Sequence, residues 1–447
     1  MTFRLHATFL VLALTVLGVR PAAAQNPQRP FRGLFGGAQP LNTRGQMIDL
    51  STSAFVGWDE PQNVVNPLES TSDDRTVVSG PYSGGSAALS YTHPGEKLDF
   101  NGSGSAFTGY FPDNKESPWY QSYSVAGNLS WRADLSRRTH FHFSEGASAS
   151  TDYRVGALLG TGSGGIGSIG SSFDNSLVRQ PSMITQTRAE LSHDFSVKSN
   201  FSASYGFQYA HFFQDDQFPD TGIHNVGARY RHRLTKYFGY HLGYSYDHPV
   251  DFSGGPPLRG IHNIDAGLDY SRALSLTRTT KFSFSTGTTI ASGTQEQNGQ
   301  TTFSSPHFFV VGNVALTQEL GQTWYFATYY DRSVSYDPGF TQPGLYDTAG
   351  VSLSGLVSRH LDVSVNGQYQ VGRIGLESPN YRSWNASAQI RSAITRNIAA
   401  YAYYYYFLSD LNAGVAVPLG VPHYVARNGV RAGITAWLPL WYGRGAP

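Results

Sequence analysis

The chain has no cysteine, three methionines and only 14% charged residues in 447 positions. Without a thiol there is neither a disulfide framework nor a lipid-attachment site, which excludes a stapled secreted module and a lipoprotein. Lys and Arg number 32 against 31 Asp and Glu. The basic footprint of a nucleic-acid-binding chain is therefore missing, and no nucleic acid partner is expected. Beyond the N-terminal segment no apolar run approaches the roughly 20 residues of a transmembrane helix. A G-x-S-x-G elbow, an H-E-x-x-H pair and a cysteine nucleophile are also absent. The reading is of a chain that is not an enzyme, with no catalytic residue, cofactor or metal assigned.

What is abundant is glycine and aromatic side chains: 49 Gly, 28 Tyr and 27 Phe. That profile suits β-structure rather than a helical domain. The first segment has basic Arg4, an apolar run from Phe9 to Val19 and an Ala22-Ala23-Ala24 ending. It reads as a secretory signal peptide over 1–24. Its removal leaves roughly 30 basic against 31 acidic side chains. Residues 25–45, rich in Pro, Gly and Arg and without period, read as a flexible lead-in.

From about 46 to 442 extended segments follow one another with no helical period. In HLDVSVNGQYQV, Leu361, Val363, Val365 and Val371 fall on one side, and Asp362, Ser364, Asn366, Gln368 and Gln370 on the other. The same alternation separates Phe201, Tyr205 and Phe207 from Ser202, Ser204 and Gln208. A period of two means that the faces of a strand meet different surroundings. Eighteen such segments are expected, among them 182–195, 222–235, 323–337, 345–358 and 398–411, with 16 the next count considered. Many exceed the usual five or six residues of a soluble β-domain and suit strands tilted across lipid.

The connections are of two kinds. Leu135-Ser136-Arg137-Arg138, Leu234-Thr235-Lys236, Leu276-Thr277-Arg278, Val357-Ser358-Arg359-His360 and Ile394-Thr395-Arg396-Asn397 share an apolar, hydroxyl, basic order. Between them lie longer, variable segments such as 60–79, 155–181, 251–259 and 412–422. Short turns on one rim and longer loops on the other mark a transmembrane barrel. Trp58, Trp119, Trp131, Tyr153, Tyr237, Tyr246, Tyr270, Trp324, Tyr336 and Trp384 lie near segment ends, as girdles at two membrane interfaces would place them. The expected fold is all-β: a transmembrane antiparallel up-and-down β-barrel of about 18 strands, apolar side outward and the polar side around a wet lumen.

The last segment, VRAGITAWLPLW, ends in Trp441 and Tyr442. It resembles the aromatic-ended final strand of outer-membrane proteins, which their assembly machinery recognises; the tail 443–447 departs from that pattern. Over about 46–441 the chain resembles the broad class of porin-like outer-membrane β-barrel proteins of Gram-negative bacteria. The resemblance rests on architecture. It implies an outer-membrane location, outer-membrane lipids and the barrel-assembly machinery as partners, and a channel-like body for passive diffusion of small hydrophilic solutes. A barrel that exports or binds a polysaccharide or other polymer, with inward Tyr325 and Tyr329 as stacking surfaces, and a structural or adhesive barrel are the alternatives. The oligomeric state is left open.

Candidate site residues follow from the faces. Val226, Ala228, Tyr230 and Leu234 face one way and Arg229, Arg231 and Arg233 the other, and the arginines are expected to stack along the lumen, where fixed positive charge orients anions. Asp247, Glu190 and Asp194 are the carboxylates expected to neutralise them. Asp99, Arg132, Arg188, Asp265, Asp269, Asp331, Asp362, Arg391 and Arg431 make the remaining lumen charge mixed, so strong ion selectivity is not expected. The Gly-rich 155–181 connection, with Asp174 and Arg179, is the candidate constriction loop. His140 and His142 share a face but have no third ligand at a recognisable spacing. Glu145 falls in register with Phe141 and Phe143, and a bulge is expected to turn it inward.

Overall fold

The computed structural model describes residues 46–65, 80–95, 97–112, 120–153, 178–213, 218–254, 258–273, 280–291, 294–297, 300–303, 306–320, 323–336, 340, 342–376, 380–411 and 423–442. Among the described residues twenty strands occur in chain order: β1 (Met47–Val65), β2 (Gly80–His93), β3 (Leu98–Phe111), β4 (Tyr120–Asp134), β5 (Thr139–Tyr153), β6 (Val178–Asp194), β7 (Ser199–Phe212), β8 (Thr221–Arg233), β9 (Phe238–Asp251), β10 (Ile261–Ala273), β11 (Thr280–Ala291), β12 (Thr294–Gln297), β13 (Gln300–Phe303), β14 (His307–Leu320), β15 (Trp324–Tyr336), β16 (Pro343–Ser358), β17 (Leu361–Ile374), β18 (Tyr381–Ala393), β19 (Ile398–Leu411) and β20 (Tyr424–Tyr442). Eighteen of them form one sheet, each antiparallel to its neighbours in sequence, and β20 pairs back onto β1. The small β12–β13 hairpin stands apart between β11 and β14. The wall is thus a closed up-and-down barrel, which below the β14–β15 branch at Gly312 gives backbone N–H and C=O groups partners without a sheet edge facing lipid.

The turns explain the repeated sequence order. The Ser136 hydroxyl accepts from the backbone N–H of Arg138 (3.2 Å) and Thr139 (3.0 Å). Thr235 does the same for Tyr237 and Phe238, and Thr395 for Asn397 and Ile398. Each hydroxyl supplies an acceptor that a tight turn otherwise lacks. Ser196, in a connection the repeat did not identify, accepts from Lys198 and Ser199 in the same way.

The faces are sorted as the alternation requires. Val56, Trp58, Leu129, Leu242, Tyr244, Val430 and Ile434 lie exposed on the outer wall, with Trp131, Tyr237 and Trp384 among the exposed rings near strand ends. Trp119 and the Tyr153 side chain lie outside the described residues. Asp362, Gln370, Ser383 and Gln389 point inward and are buried. Glu145 is a correction. The β4–β5 register is continuous from Ser124↔Ser150 to Asp134↔His140, so Glu145 stays opposite Leu129 on the outer face. There the Thr187 hydroxyl donates to its carboxylate. The irregularity in β5 lies between Ser150 and Asp152.

The inner face is not polar throughout. Phe55, Tyr82, Phe107, Phe111, Tyr401, Tyr403 and Tyr405 form a buried inward cluster across β1, β2, β3 and β19. A second exception is the β15–β16 pair. Pairing of β14 with β15 ends at Gly312↔Arg332, although β14 continues beside β11 to His307 and β15 continues beside β16 to Tyr336. Above that point the two walls part. Consecutive residues Leu345 (0% exposed) and Tyr346 (1% exposed) are both buried, so both faces of β16 are covered there. Tyr336, expected in an outer girdle, is buried too (6% exposed), because the end of β15 turns into the barrel.

Candidate functional site

The inner faces of β6 to β11, with the end of β15, enclose a polar cavity of about 540 Å³. Arg188, Arg229, Arg231 and Arg332 line it with Glu190, Asn225, Ser204, Asn263 and Thr289. The local reason is simple. In β8, Val226, Ala228 and Tyr230 take the outer positions, so the intervening arginines must point inward. Arg233, last of that row, is exposed at the short-turn end.

Charge in the cavity is arranged around Asp269. Arg231 Nε lies 3.2 Å from its Oδ2, Arg229 Nη2 4.0 Å from its Oδ1, and the enclosed His241 Nδ1 3.1 Å from Oδ2. The Ser285 hydroxyl donates to Oδ1 at 2.9 Å. The carboxylates expected to do this are engaged elsewhere. Asp247 accepts from Asn225 and, at 3.0 Å, from Asn263; it stands opposite Asn225, whereas Arg229 stands opposite Gly243. Asp194 accepts from Asn200 at 2.8 Å and faces His140 Nε2 at 3.6 Å. Glu190 takes Arg188 of its own strand at 3.1 Å. Arg332 lies 3.6 Å from Asp347. Side-chain exposure is 55% at Arg231 and 58% at Arg188, so these pairs are wet and each contributes at most about 1 kcal/mol to stability. Their guanidinium groups remain open to a solute.

Other expected site residues are placed differently. Arg391 forks onto Asp362, with Nε 3.0 Å from each carboxylate oxygen and Nη2 also donating to Oδ2, forming a local ladder between β17 and β18. Arg431 points inward but is only 2% exposed. Its guanidinium carbon lies 4.7 Å from the Tyr403 ring centroid, 5.4 Å from Phe55, 5.6 Å from Tyr405 and 5.9 Å from Phe107. It is therefore part of an aromatic cage rather than an open wall. Asp174 and the Arg179 side chain lie outside the described residues. His140 is held 2.5 Å from Asp134 Oδ1, on the side opposite its contact with Asp194.

Sequence reasoning missed Arg332, His241 and the buried Asp59–Arg427 pair. In that pair Arg427 Nε lies 3.0 and 2.8 Å from the two Asp59 oxygens, and the Tyr405 hydroxyl also donates to Asp59. A signal for Arg332 existed. By alternation it shares the outer row of β15 with Phe326 and Tyr330, and Asp347 stands opposite it on β16. Two facing charges on a row meant for lipid mark the level at which these strand ends turn off that row.

Over the wide-loop end, two apolar clusters narrow the lumen. One joins Ala210 and Phe212 of β7 and Phe218 to Phe340, Tyr346, Ile374, Tyr381, Phe407, Leu411 and Val425. It bridges walls seven or more strands apart around the ring. The other packs Tyr336, Leu345, Leu376 and Val334 against Ile223, Ile261, Ala291 and Phe309.

No protein-family model matches the chain, and no curated protein matches it. Solved structures to which it is similar include OpdL of Pseudomonas aeruginosa, at 11% identity over 89% of this chain and 99% of that one, with a TM-score of 0.39. OccK8 (OprE) of Pseudomonas aeruginosa is 10% identical over 89% and 98%, with a TM-score of 0.40. The FrpB iron transporter of Neisseria meningitidis is 10% identical over 92% and 83%, also with a TM-score of 0.40. The chain has the closed antiparallel up-and-down β-barrel fold that its sequence pattern predicts. Likenesses this distant assign no solute.

Proposed function

We propose that this chain is an outer-membrane channel of the porin type, through which small hydrophilic solutes diffuse passively. The observation that carries the reading is the polar cavity of about 540 Å³ inside a closed wall whose outer rows are apolar. A wall of that polarity is stable with lipid outside and water inside. Outer-membrane lipids and the barrel-assembly machinery are its partners in this reading. Passage is narrowed by the inturned ends of β15 and β16. Arg188, Arg229, Arg231 and Arg332 face Glu190, Asp269 and Asp347, which leaves a slight positive excess and a mild preference for small anions.

One observation favours a second reading, a structural barrel without conductance: the apolar clusters that bridge the wide-loop end. Planar-bilayer recording of the purified protein separates the two. Steady single-channel steps that shrink as neutral sugars grow support the channel. Silence across the voltage range refutes it and supports the structural barrel.

A further inference from the structure

Above Gly312 the wall of this barrel is unzipped on one side. Gly312 and Arg332 form the last pair between β14 and β15. Beyond them β14 keeps His307–Val311 hydrogen-bonded to β11 alone, and β15 keeps Ser333–Tyr336 bonded to β16 alone. Two strand edges of similar length, one on the wall and one inside the mouth, begin at the same residue pair.

The inturned edge keeps the residue order of a wall strand. Extending the β14–β15 register past Gly312↔Arg332 sets Ser333 opposite Val311, Val334 opposite Val310, Ser335 opposite Phe309 and Tyr336 opposite Phe308. Phe308 and Val310 are each 62% exposed on the outer row. In the extended register Val334 and Tyr336 join that row, while Ser333 and Ser335 face the lumen. That is the apolar-out, polar-in pattern of the other strands. In the inturned position the same alternation fits less well. The Ser335 hydroxyl is buried with no hydrogen-bond partner among the described residues. Val334 instead packs against the buried cluster that includes Ile261 of β10 and Ala291 of β11, and the Tyr336 hydroxyl donates to the Arg259 carbonyl at 2.6 Å. Gly312 sits at the branch with φ +150°, where a Cβ would come within 2.3 Å of the Ser285 carbonyl oxygen. The position thus requires the one residue that allows the backbone to turn there.

We propose that the ends of β15 and β16 form a gate with two seats: the inturned seat, which narrows the mouth, and a wall seat in which Ser333–Tyr336 zip onto His307–Val311 and widen it. Arg332 and Asp347 stand opposite each other in β15 and β16 and stay paired in both. The inturned seat is held by burial of Val334, Leu345 and Tyr336, and the wall seat by new backbone hydrogen bonds. This exchanges one set of contacts for another without unfolding either strand. The inference rests on the channel reading.

The natural chain has no cysteine, which makes paired cysteines clean probes. Val310→Cys/Val334→Cys reports the wall seat and Ile261→Cys/Leu345→Cys the inturned seat, each treated with a short bismaleimide in the folded, vesicle-embedded full-length protein. Crosslinking is read by mass, and conductance in the same preparation. Both pairs are expected to crosslink. The wall-seat crosslink should raise single-channel conductance roughly twofold or more above the inturned one. Tyr336→Phe, which removes one latch without altering fold, should shift crosslinking toward the wall pair. If the 310/334 pair fails to crosslink while each cysteine labels singly, or if both locked forms conduct and do so alike, the gate is refuted. Crosslinking at both seats with no conductance in either would instead overturn the channel and retain the movement.

Discussion

Asp59 and Arg427 offer the sharpest test of how this barrel is held closed. They sit on β1 and β20, 368 positions apart in sequence, and both side chains are wholly buried. Arg427 Nε lies 3.0 and 2.8 Å from the carboxylate oxygens, Nη2 reaches Oδ2 at 2.5 Å, and the Tyr405 hydroxyl donates to Oδ1. Arg427→Met leaves the Asp59 carboxylate enclosed with its main counter-charge gone. Breaking one side of a buried pair costs about 3–5 kcal/mol, which is roughly two to three orders of magnitude in the unfolding equilibrium. Asp59→Leu/Arg427→Met removes both charges and leaves Tyr405 without its acceptor, a cost of about 1 kcal/mol. Urea titration of vesicle-inserted protein, followed by the fluorescence of the seven tryptophans, should show the single variant losing most of its stability and the double variant regaining most of it. A single variant within about 1 kcal/mol of the natural protein, or a double variant as weak as the single, would refute the argument.

The same titration tests the aromatic cage: Arg431→Met should lose about 2 kcal/mol, since the four rings around the guanidinium lose their cation but keep most of their packing. Gly312→Val should cost roughly 1–3 kcal/mol, because it must relieve both the φ of +150° and the clash with the Ser285 carbonyl; unchanged stability would show that the branch is not strained. Thr235→Ala removes the acceptor for two turn N–H groups and should cost about 1 kcal/mol, read as a lower urea midpoint. In a salt gradient, Arg229→Gln/Arg231→Gln should move the reversal potential toward cation preference, and Asp269→Asn should move it the opposite way; equal potentials in all three proteins would remove these side chains from selectivity.

Strand positions were legible because a membrane barrel writes its environment into every second residue. The segment expected at 398–411 is β19 (Ile398–Leu411), and that expected at 222–235 is β8 (Thr221–Arg233). β1 was expected to stop near 59, before Glu60-Pro61, yet it runs to Val65. Past Asp59↔Gly80 it no longer pairs with β2, while Pro61 stays opposite Arg427 on β20. Among the described residues Pro61 has a strand partner on that side alone, a position where a proline is tolerated. What alternation could not show was what lies across the lumen. Tyr401, Tyr403, Tyr405 and Phe407 occupy the inner row of β19, and the sequence AAYAYYYYFL carries aromatics on both faces. That was the available sign that this stretch of lumen is packed, and so that Arg431 is caged. The inturned ends of β15 and β16 left less trace, because their residues keep the wall pattern. Only the facing Arg332 and Asp347 depart from it.

The β1–β20 seam has a further problem that alternation cannot solve. A slip of one residue turns every side chain to the wrong face and is strongly disfavoured. A slip of two keeps apolar groups outward and polar groups inward, so the period of two permits it. Closure must therefore be specified by groups that tell one inward position from the next. Asp59 is opposite Gly429, with Arg427 two positions along, and Tyr405 crosses Gly429 to reach the carboxylate; a Cβ there would lie 2.6 Å from that ring. A two-residue slip sets Asp59 opposite Arg427 or Arg431 and moves it off Gly429, so the carboxylate loses the Tyr405 hydroxyl that reaches it across that glycine. The Asp59, Arg427 and Tyr405 set at Gly429 thus distinguishes this register from a two-residue slip, a role attested for some buried polar groups. Asp59→Leu/Arg427→Met should then recover its urea midpoint yet fold into more than one species, seen as split bands in semi-native electrophoresis, while Arg391→Gln, whose ladder joins strands already adjacent in sequence, should give one band. A single band from the double variant would assign register to the aromatic rings and leave the ion pair without that role.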